Sequence, residues 1–305
     1  YLCDAIGKRT TSSLGYSLVF DKLNNRIRPS GGHRMVLSQD FAGLGGSVKY
    51  IKTRINGDKF WRIGGSGFIF SMSLEGGYIH PLENRGNAAN GIDDVRLTDR
   101  FYLGEPQMRG FDIRGVGPRI QRVTFTPELQ GTTVVNVPIT DRKNIQDDAI
   151  GGRFYYLGRA ELQIPLGSGA KELGLRPSAF VDIGSVFDVT QPILQTLQSR
   201  SVGTSTVPSA PLFYTGAFTL GTDGRPTTTL DTSTTATNSD GSARTPVLVF
   251  QERFLGDSWK PRLSVGIGVN WNSPFGPFRI DIARALLKQE GDDTKLFTFN
   301  VGTQF

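Results

Sequence analysis

The strongest constraint on the fold is an alternation of period two that returns along most of the chain. Leu14, Tyr16, Leu18 and Phe20 fall on one face, with Gly15, Ser17 and Asp21 between them. That is a strand with one oily side and one wet or small-residue side. LNNRIRPSGG then turns the chain, and Arg34 to Phe41 reads as a second strand. Gly43 to Gly46 is a turn, and Ser47 to Ile55 a third strand with weaker alternation. Phe68, Phe70, Met72, Leu74 and Tyr78 stand opposite Ser71, Ser73 and Glu75. Gly152 to Leu166 sets Phe154, Tyr156, Ala160, Leu162 and Ile164 against Arg159, Glu161 and Gln163. Arg176 to Phe187 sets Ala179, Val181 and Ile183 against Ser178, Phe180, Asp182 and Gly184. Three more strands close the sequence, one around Leu263 to Asn272, one around Phe278 to Ala283, and one from Leu296 to Phe305.

No stretch approaches the roughly 18 consecutive apolar residues of a membrane-crossing helix, but alternating strands hide the hydrophobicity of a membrane barrel. The pattern gives about nine strands, joined alternately by tight turns and long loops, as in outer-membrane barrels. Several strands run about eight to ten residues, longer than the five or six common in soluble sandwiches. The expected fold is therefore all-β, an antiparallel transmembrane β-barrel. Nine is an odd count, so partner strands are expected upstream of Tyr1, where neither an initiator Met nor a signal-peptide pattern stands. The net charge is +6, yet the basic residues are scattered singly. That favours a rim facing anionic lipid or lipopolysaccharide over nucleic acid. The single Cys3 excludes an intramolecular disulfide.

Two stretches break the pattern. Residues 83 to about 150 read as a long irregular segment, and within it FYLGEPQMRGFDIRGVGPR, Phe101 to Arg119, is too rich in Gly and Pro for a helix or central strand. Such a loop can place the guanidinium of Arg109 at one defined spot. From about Asp188 to Lys260 the Ser/Thr-rich composition leaves little to bury, and the segment reads as a long flexible loop. Catalytic chemistry is not expected. His33 and His80 sit at strand ends, and the pairs Asp93-Asp94, Asp147-Asp148 and Asp292-Asp293 read as turn or solvation residues. No Cys/His spacing suits a metal, so neither a metal nor a cofactor is expected. Glu161 and Asp182, on the polar faces of consecutive strands, each need a partner or water. Arg109 on its long loop can lock them bidentately, or all three can be solvated separately in a wide pore.

The stretches FYLG, MRGF and GVGPR resemble the lumenal loop of the outer-membrane assembly-factor superfamily, whose core is an Arg-Gly-Phe/Tyr tripeptide, here Arg109, Gly110 and Phe111. FVDIG at Phe180 to Gly184 is similar to that family's Phe-x-Asp-x-Gly strand motif, and AELQIPL to the preceding strand with its acidic Glu161. SPFGPFRIDIA and the terminal LFTFNVGTQF also resemble the family, so the likeness covers essentially the whole chain in order. It implies the C-terminal portion of a 16-stranded barrel in the bacterial outer membrane, with a lumenal loop at about 83–150 and a long extracellular loop at about 188–260. The family's periplasmic repeat domains are absent from these residues. In such a protein Arg109 would pair with Asp182 near Glu161, beside Phe180 and Gly184. Phe297, Phe299, Val301, Gly302 and Phe305 would form the sorting signal and a weak seam, with Gly302 a weak point. The implied function is insertion of other barrels without ATP, by a seam that templates incoming strands. The implied partners are unfolded barrel proteins, accessory lipoproteins, and outer-membrane lipid and lipopolysaccharide. A two-partner-type secretion pore or a translocation and assembly module barrel shares the motifs and is the alternative. Two departures stand out: Met108 where Val is usual, and a Ser/Thr-rich insertion longer than the family pattern.

Overall fold

A computed structural model of the chain describes residues 8–26, 28–65, 67–130, 133–166, 174–200, 210–220, 226–239, 241–273 and 276–301. In chain order the strands are β1 (Ser13–Asp21), β2 (Gly32–Ala42), β3 (Tyr50–Ile63), β4 (Phe68–Pro81), β5 (Arg119–Gln130), β6 (Thr133–Pro138), β7 (Gln146–Ala149) and β8 (Phe154–Gln163). They continue as β9 (Leu175–Phe187), β10 (Thr196–Gln198), β11 (Phe213–Leu220), β12 (Pro226–Ser233), β13 (Leu248–Leu255), β14 (Arg262–Ser273), β15 (Gly276–Leu287) and β16 (Phe297–Val301). The chain divides into two compact units. One comprises residues 1–119, 149–193 and 255–305, and the other residues 120–148 and 194–254.

The first unit holds a nine-stranded antiparallel sheet in the order β1-β2-β3-β4-β8-β9-β14-β15-β16. Its register is continuous across the middle. Phe70 faces Leu162 across β4 and β8, Glu161 faces Phe180 across β8 and β9, and Asp182 faces Ser264 across β9 and β14. Strands of 9 to 14 residues in β1 to β4 reach the roughly 9–11 that a tilted strand needs to cross a bilayer. Short connections at 22–31 and 64–67 lie at one end of the sheet, and the long ones at 82–153 and 188–261 start from the other. Among the described residues the sheet does not close on itself: β1 and β16 are its two edges.

The alternation sorts residues as the pleat requires. Val181 and Ile183 on β9 are exposed while Phe180, Asp182 and Gly184 are buried. On β15, Ile280 and Ile282 are exposed while Arg279, Asp281 and Ala283 are buried. What covers the second face is the loop Phe101 to Arg119. Leu103, Met108, Phe111 and Val116 from that loop join Ile79 of β4, Tyr155 and Leu157 of β8 and Val186 of β9 in the apolar core of this unit. The core therefore sits between the sheet and one loop.

Three expectations change. The third strand is not Ser47 to Ile55 but runs from Tyr50 to Ile63. Thr53, Gly57 and Lys59 interrupt its oily face, so the alternation fades where the hydrogen-bonded strand goes on. The segment at about 83–150 is irregular only as far as Arg119, because β5, β6 and β7 follow. The stretch at about 188–260 holds β10, β11, β12 and β13 rather than a single flexible loop. In the second unit β10, β13, β5 and β6 lie side by side in that order, β7 pairs with β5, and β11 pairs with β12. Val134 and Tyr214, with Val247 against them, make a small apolar cluster there. Strands β7 and β10 are short, β12 is Thr-rich, and β13 and β5 pair across a long sequence separation, so the local signal for this unit is weak.

Phe111→Ala, which empties a fully buried site, is expected to destabilise the folded protein by about 3–5 kcal/mol. The check is the temperature at which the detergent-solubilised protein loses its folded gel mobility. An unchanged temperature would contradict a loop-built core.

Candidate functional site

Arg109 is carried into the sheet by a loop whose own backbone is braced. Val116 N–H donates to the Leu103 carbonyl at 3.1 Å, Met108 N–H to Gly104 at 2.9 Å, and Gly115 N–H to Asp112 at 2.7 Å. Gly110 has φ +85°, a conformation that favours glycine, and a Cβ there would crowd Ser264 of β14 and Ala283 of β15. The tripeptide can thus lie against the wall, where Ser264 Oγ donates to the Arg109 carbonyl at 2.5 Å. Gly184 does the same from the wall side, leaving room for Leu103.

The guanidinium then meets two carboxylates. Nε donates to Asp182 Oδ2 at 2.8 Å and Nη2 to Asp182 Oδ1 at 2.6 Å, a bidentate fork. The Arg109 backbone N–H adds a third contact to Asp182 Oδ2 at 3.0 Å. Nη1 donates to Glu161 Oε2 at 2.7 Å. The Phe180 ring lies 3.4 Å from the guanidinium carbon, a cation–π contact. Asp182 is wholly buried and the Arg109 side chain nearly so. Burial alone would lower the Arg109 pKa, but the Asp182 hydrogen bonds and the charges of Asp182 and Glu161 outweigh it and raise it above the ordinary arginine value. The separately solvated alternative does not describe this geometry.

Sequence reasoning missed the rest of the cluster. Arg279 on β15 shares Glu161, with Nη2 3.2 Å from Oε2, and its Nε reaches Asp281 Oδ2 at 2.8 Å. Two guanidiniums thus stand among three carboxylates, tying β8, β9 and β15 to the loop. Arg279 and Asp281 share the inward face of β15 by alternation, and that was the available signal. Beside the cluster a cavity of about 130 Å³ is lined by Asp58, Ser73, Arg159, Gln163, Asn270 and Asn300, among others.

A second set of contacts fixes the far side of the loop to the segment before the last strand. Phe111 bridges Thr294, Asp112 N–H donates to the Asp293 carbonyl at 2.9 Å, and Asp293 N–H donates to Gly115 at 2.7 Å. Lys295 N–H donates to the Gly110 carbonyl at 3.2 Å, and Lys295 Nζ reaches Glu105 Oε2 at 2.7 Å. That hydrogen bond holds the Lys295 pKa above its usual value. The side chain of Asp292, read from sequence as a turn residue, is instead fully buried against Arg262, with Arg262 Nε 3.0 Å from its Oδ2. Arg262 also donates to Ser185 Oγ and to the carbonyls of Gly256 and Ser258. Asp93 is likewise buried and accepts from Thr190 N–H at 2.6 Å.

Phe297, Phe299 and Val301 are exposed on the outward face of β16, and Phe299 stacks on Phe278 at 5.9 Å. Gly302 and Phe305 lie outside the described residues.

Three comparisons bear on this arrangement. Residues 3–305 match the family described as the Omp85 superfamily domain. The chain is 27% identical over 299 residues to the outer membrane protein assembly factor BamA of Neorickettsia risticii (strain Illinois), covering 98% of this chain and 28% of that protein. It is 28% identical over 166 residues to sorting and assembly machinery component 50 homolog A of Xenopus laevis, covering 52% of this chain and 27% of that protein. The chain thus spans little more than a quarter of these relatives. The crystal structure of BamA from Haemophilus ducreyi lacking POTRA domains 1–3 is similar in fold, with a TM-score of 0.57 at 17% identity, covering 94% of this chain and 41% of that one.

Removing one partner of a buried ion pair costs about 3–5 kcal/mol, whereas a half-exposed pair is worth about 0–1 kcal/mol. Arg109→Ala is therefore expected to lower the unfolding midpoint steeply, Arg109→Lys to recover only part of it, and Lys295→Ala to lower it less than Arg109→Ala, because Lys295 reaches solvent although Glu105 is buried. Urea titration of the three variants checks the ranking. Equal effects from Arg109→Ala and Lys295→Ala would contradict it.

Proposed function

The chain belongs to the Omp85 superfamily, and from that premise we propose that it is the barrel part of an outer-membrane assembly factor, which folds and inserts other β-barrel proteins without a catalytic step or cofactor. In this reading the nine-stranded sheet is the larger share of a 16-stranded barrel in the bacterial outer membrane. Its clients are unfolded barrel proteins, its helpers are accessory lipoproteins, and its surroundings are membrane lipid and lipopolysaccharide. The names of the two relatives, an assembly factor and a sorting and assembly component, support the reading.

The observation that carries it is the link from the Arg109 cluster to the sheet's last edge. The cluster fixes the loop to β8, β9 and β15, and the same loop holds residues 293–295 just before β16. The start of β16 is thereby anchored, while its second edge has no partner strand among the described residues. An anchored strand with a free row of N–H and C=O groups is a template for an incoming strand. When this edge meets the barrel's first strand, the pairing must be weak enough to be displaced by a client.

Depleting the protein in its host and measuring the abundance of unrelated outer-membrane barrels tests the proposal. A general fall is expected. Loss of one secreted protein with the other barrels intact would instead mean a dedicated exporter.

A further inference from the structure

The outward face of the sheet, opposite the Arg109 loop, carries a groove that the assembly reading does not use. One cross-strand row runs Phe20, Met35, Gly57, Leu74, Gly158, Ile183 over β1, β2, β3, β4, β8 and β9. In the next row Gly76 lies between Ile55 and Tyr156. Where neighbouring rows carry full side chains these positions carry none, and a groove of about 680 Å³ opens between Met35, Ile55, Met72, Leu74, Tyr156 and Ile183. Its volume falls in the range of about 300–1,000 Å³ usual for small-molecule sites. A Cβ built on Gly57 meets nothing within 4 Å.

Charge says what the groove would hold. His33 and Lys59 face one another in register at its rim, on the side of the short connections. Lys59 Nζ lies over the Trp61 ring at 4.9 Å, which aims it along the strand toward the short turn 64–67. Lys22 Nζ lies over the Phe20 ring at 5.1 Å, and the His33 ring is 5.5 Å from Phe20. Among the described residues no carboxylate forms an ion pair with Lys22, His33 or Lys59. A cation on the lipid-facing side of a barrel is unfavourable unless it reaches the interface or an anion. An aromatic residue beneath an amine is the usual arrangement at that interface.

We propose that the groove binds one acidic phospholipid, its acyl chain lying on the Gly57 and Gly76 floor and its phosphate held between Lys59 and His33. The inference rests on the reading that this face meets a membrane. The phosphate is the anion that Lys59 lacks, a ring N–H of His33 can donate to it, and the glycine floor lets a straight chain lie below the level of the neighbouring side chains. The site also adjoins β1, the edge away from β16, so a bound lipid would be a fixed part of that edge's boundary.

The test is native mass spectrometry of the intact protein reconstituted in vesicles of phosphatidylglycerol and phosphatidylcholine in equal parts, then released with its retained lipid. Wild type is expected to keep one phosphatidylglycerol in preference to phosphatidylcholine. Lys59→Gln should reduce that preference about tenfold, as expected for loss of one charge-assisted contact. Gly57→Leu fills the floor and should abolish retention of either lipid. Folded gel mobility shows that each variant is intact, and Lys59→Gln alone suffices if Gly57→Leu does not fold. Retention equal to wild type in the folded variants would mean unspecific boundary lipid and overturn the site. So would a copurifying protein cross-linked into the groove in place of lipid. Recovery of the protein free of membranes from its host would instead remove the membrane reading itself.

Discussion

A single buried guanidinium organises the inner face of this protein. Arg109 has left water, and nothing but its ligands compensates for that: a bidentate Asp182, a shared Glu161 and the face of Phe180. Buried charges are tolerated only when paired and fully hydrogen-bonded, so the positions of β8 and β9 and the course of the loop are decided together. The sheet supplies the carboxylates, and the loop supplies the cation. Neither arrangement is favourable without the other.

The apolar core follows from that constraint. A sheet with a wet inner face has little to pack, yet Met108 and Phe111, on either side of Arg109 and Gly110, are completely buried against it. The loop is able to approach this closely because Gly110 and Gly184 present no Cβ at the contact. Ion cluster and core are thus neighbours on one loop, and the Arg262–Asp292 pair repeats the device where the loop meets residues 289–295. Through those residues the geometry set by Arg109 reaches the start of β16, the sheet's edge. The outward face obeys another rule, with side chains chosen for an apolar surrounding and the groove at Gly57 as the exception.

Much of this was legible in the sequence, and the reasons for the rest are physical. The strands β9 and β15 show themselves because one face is steadily apolar, and β4 because only Gly76 interrupts the row from Phe68 to Tyr78. In β3 the outward Thr53, Gly57 and Lys59 break the oily row, so its second half disappears from the pattern although its backbone pairing is complete. Arg109, Asp182 and Glu161 could be picked out because charges on a loop and on the polar faces of neighbouring strands need partners. Whether they would find one another depended on how far the loop folds in, which no spacing encodes. Arg279 and Asp281 look like ordinary inward polar residues, and Asp292 looks like half of a solvated pair. Their burial is set by packing among segments far apart in sequence. Between Ile120 and Phe254 the β10–β13 and β13–β5 pairings join segments far apart in sequence, and the Thr-rich composition of β12 conceals that strand.

Arg109 and Asp182 form one energetic unit on which the loop's position depends. A double-mutant cycle measures this directly. Arg109→Ala, Asp182→Ala and the double variant are unfolded in urea, with protease accessibility of the loop followed in parallel. The double variant is expected to be no less stable than the worse single one, a coupling of at least about 2 kcal/mol, and the loop to become cleavable in all three. Strictly additive losses, with a loop that stays protected in every variant, would contradict it.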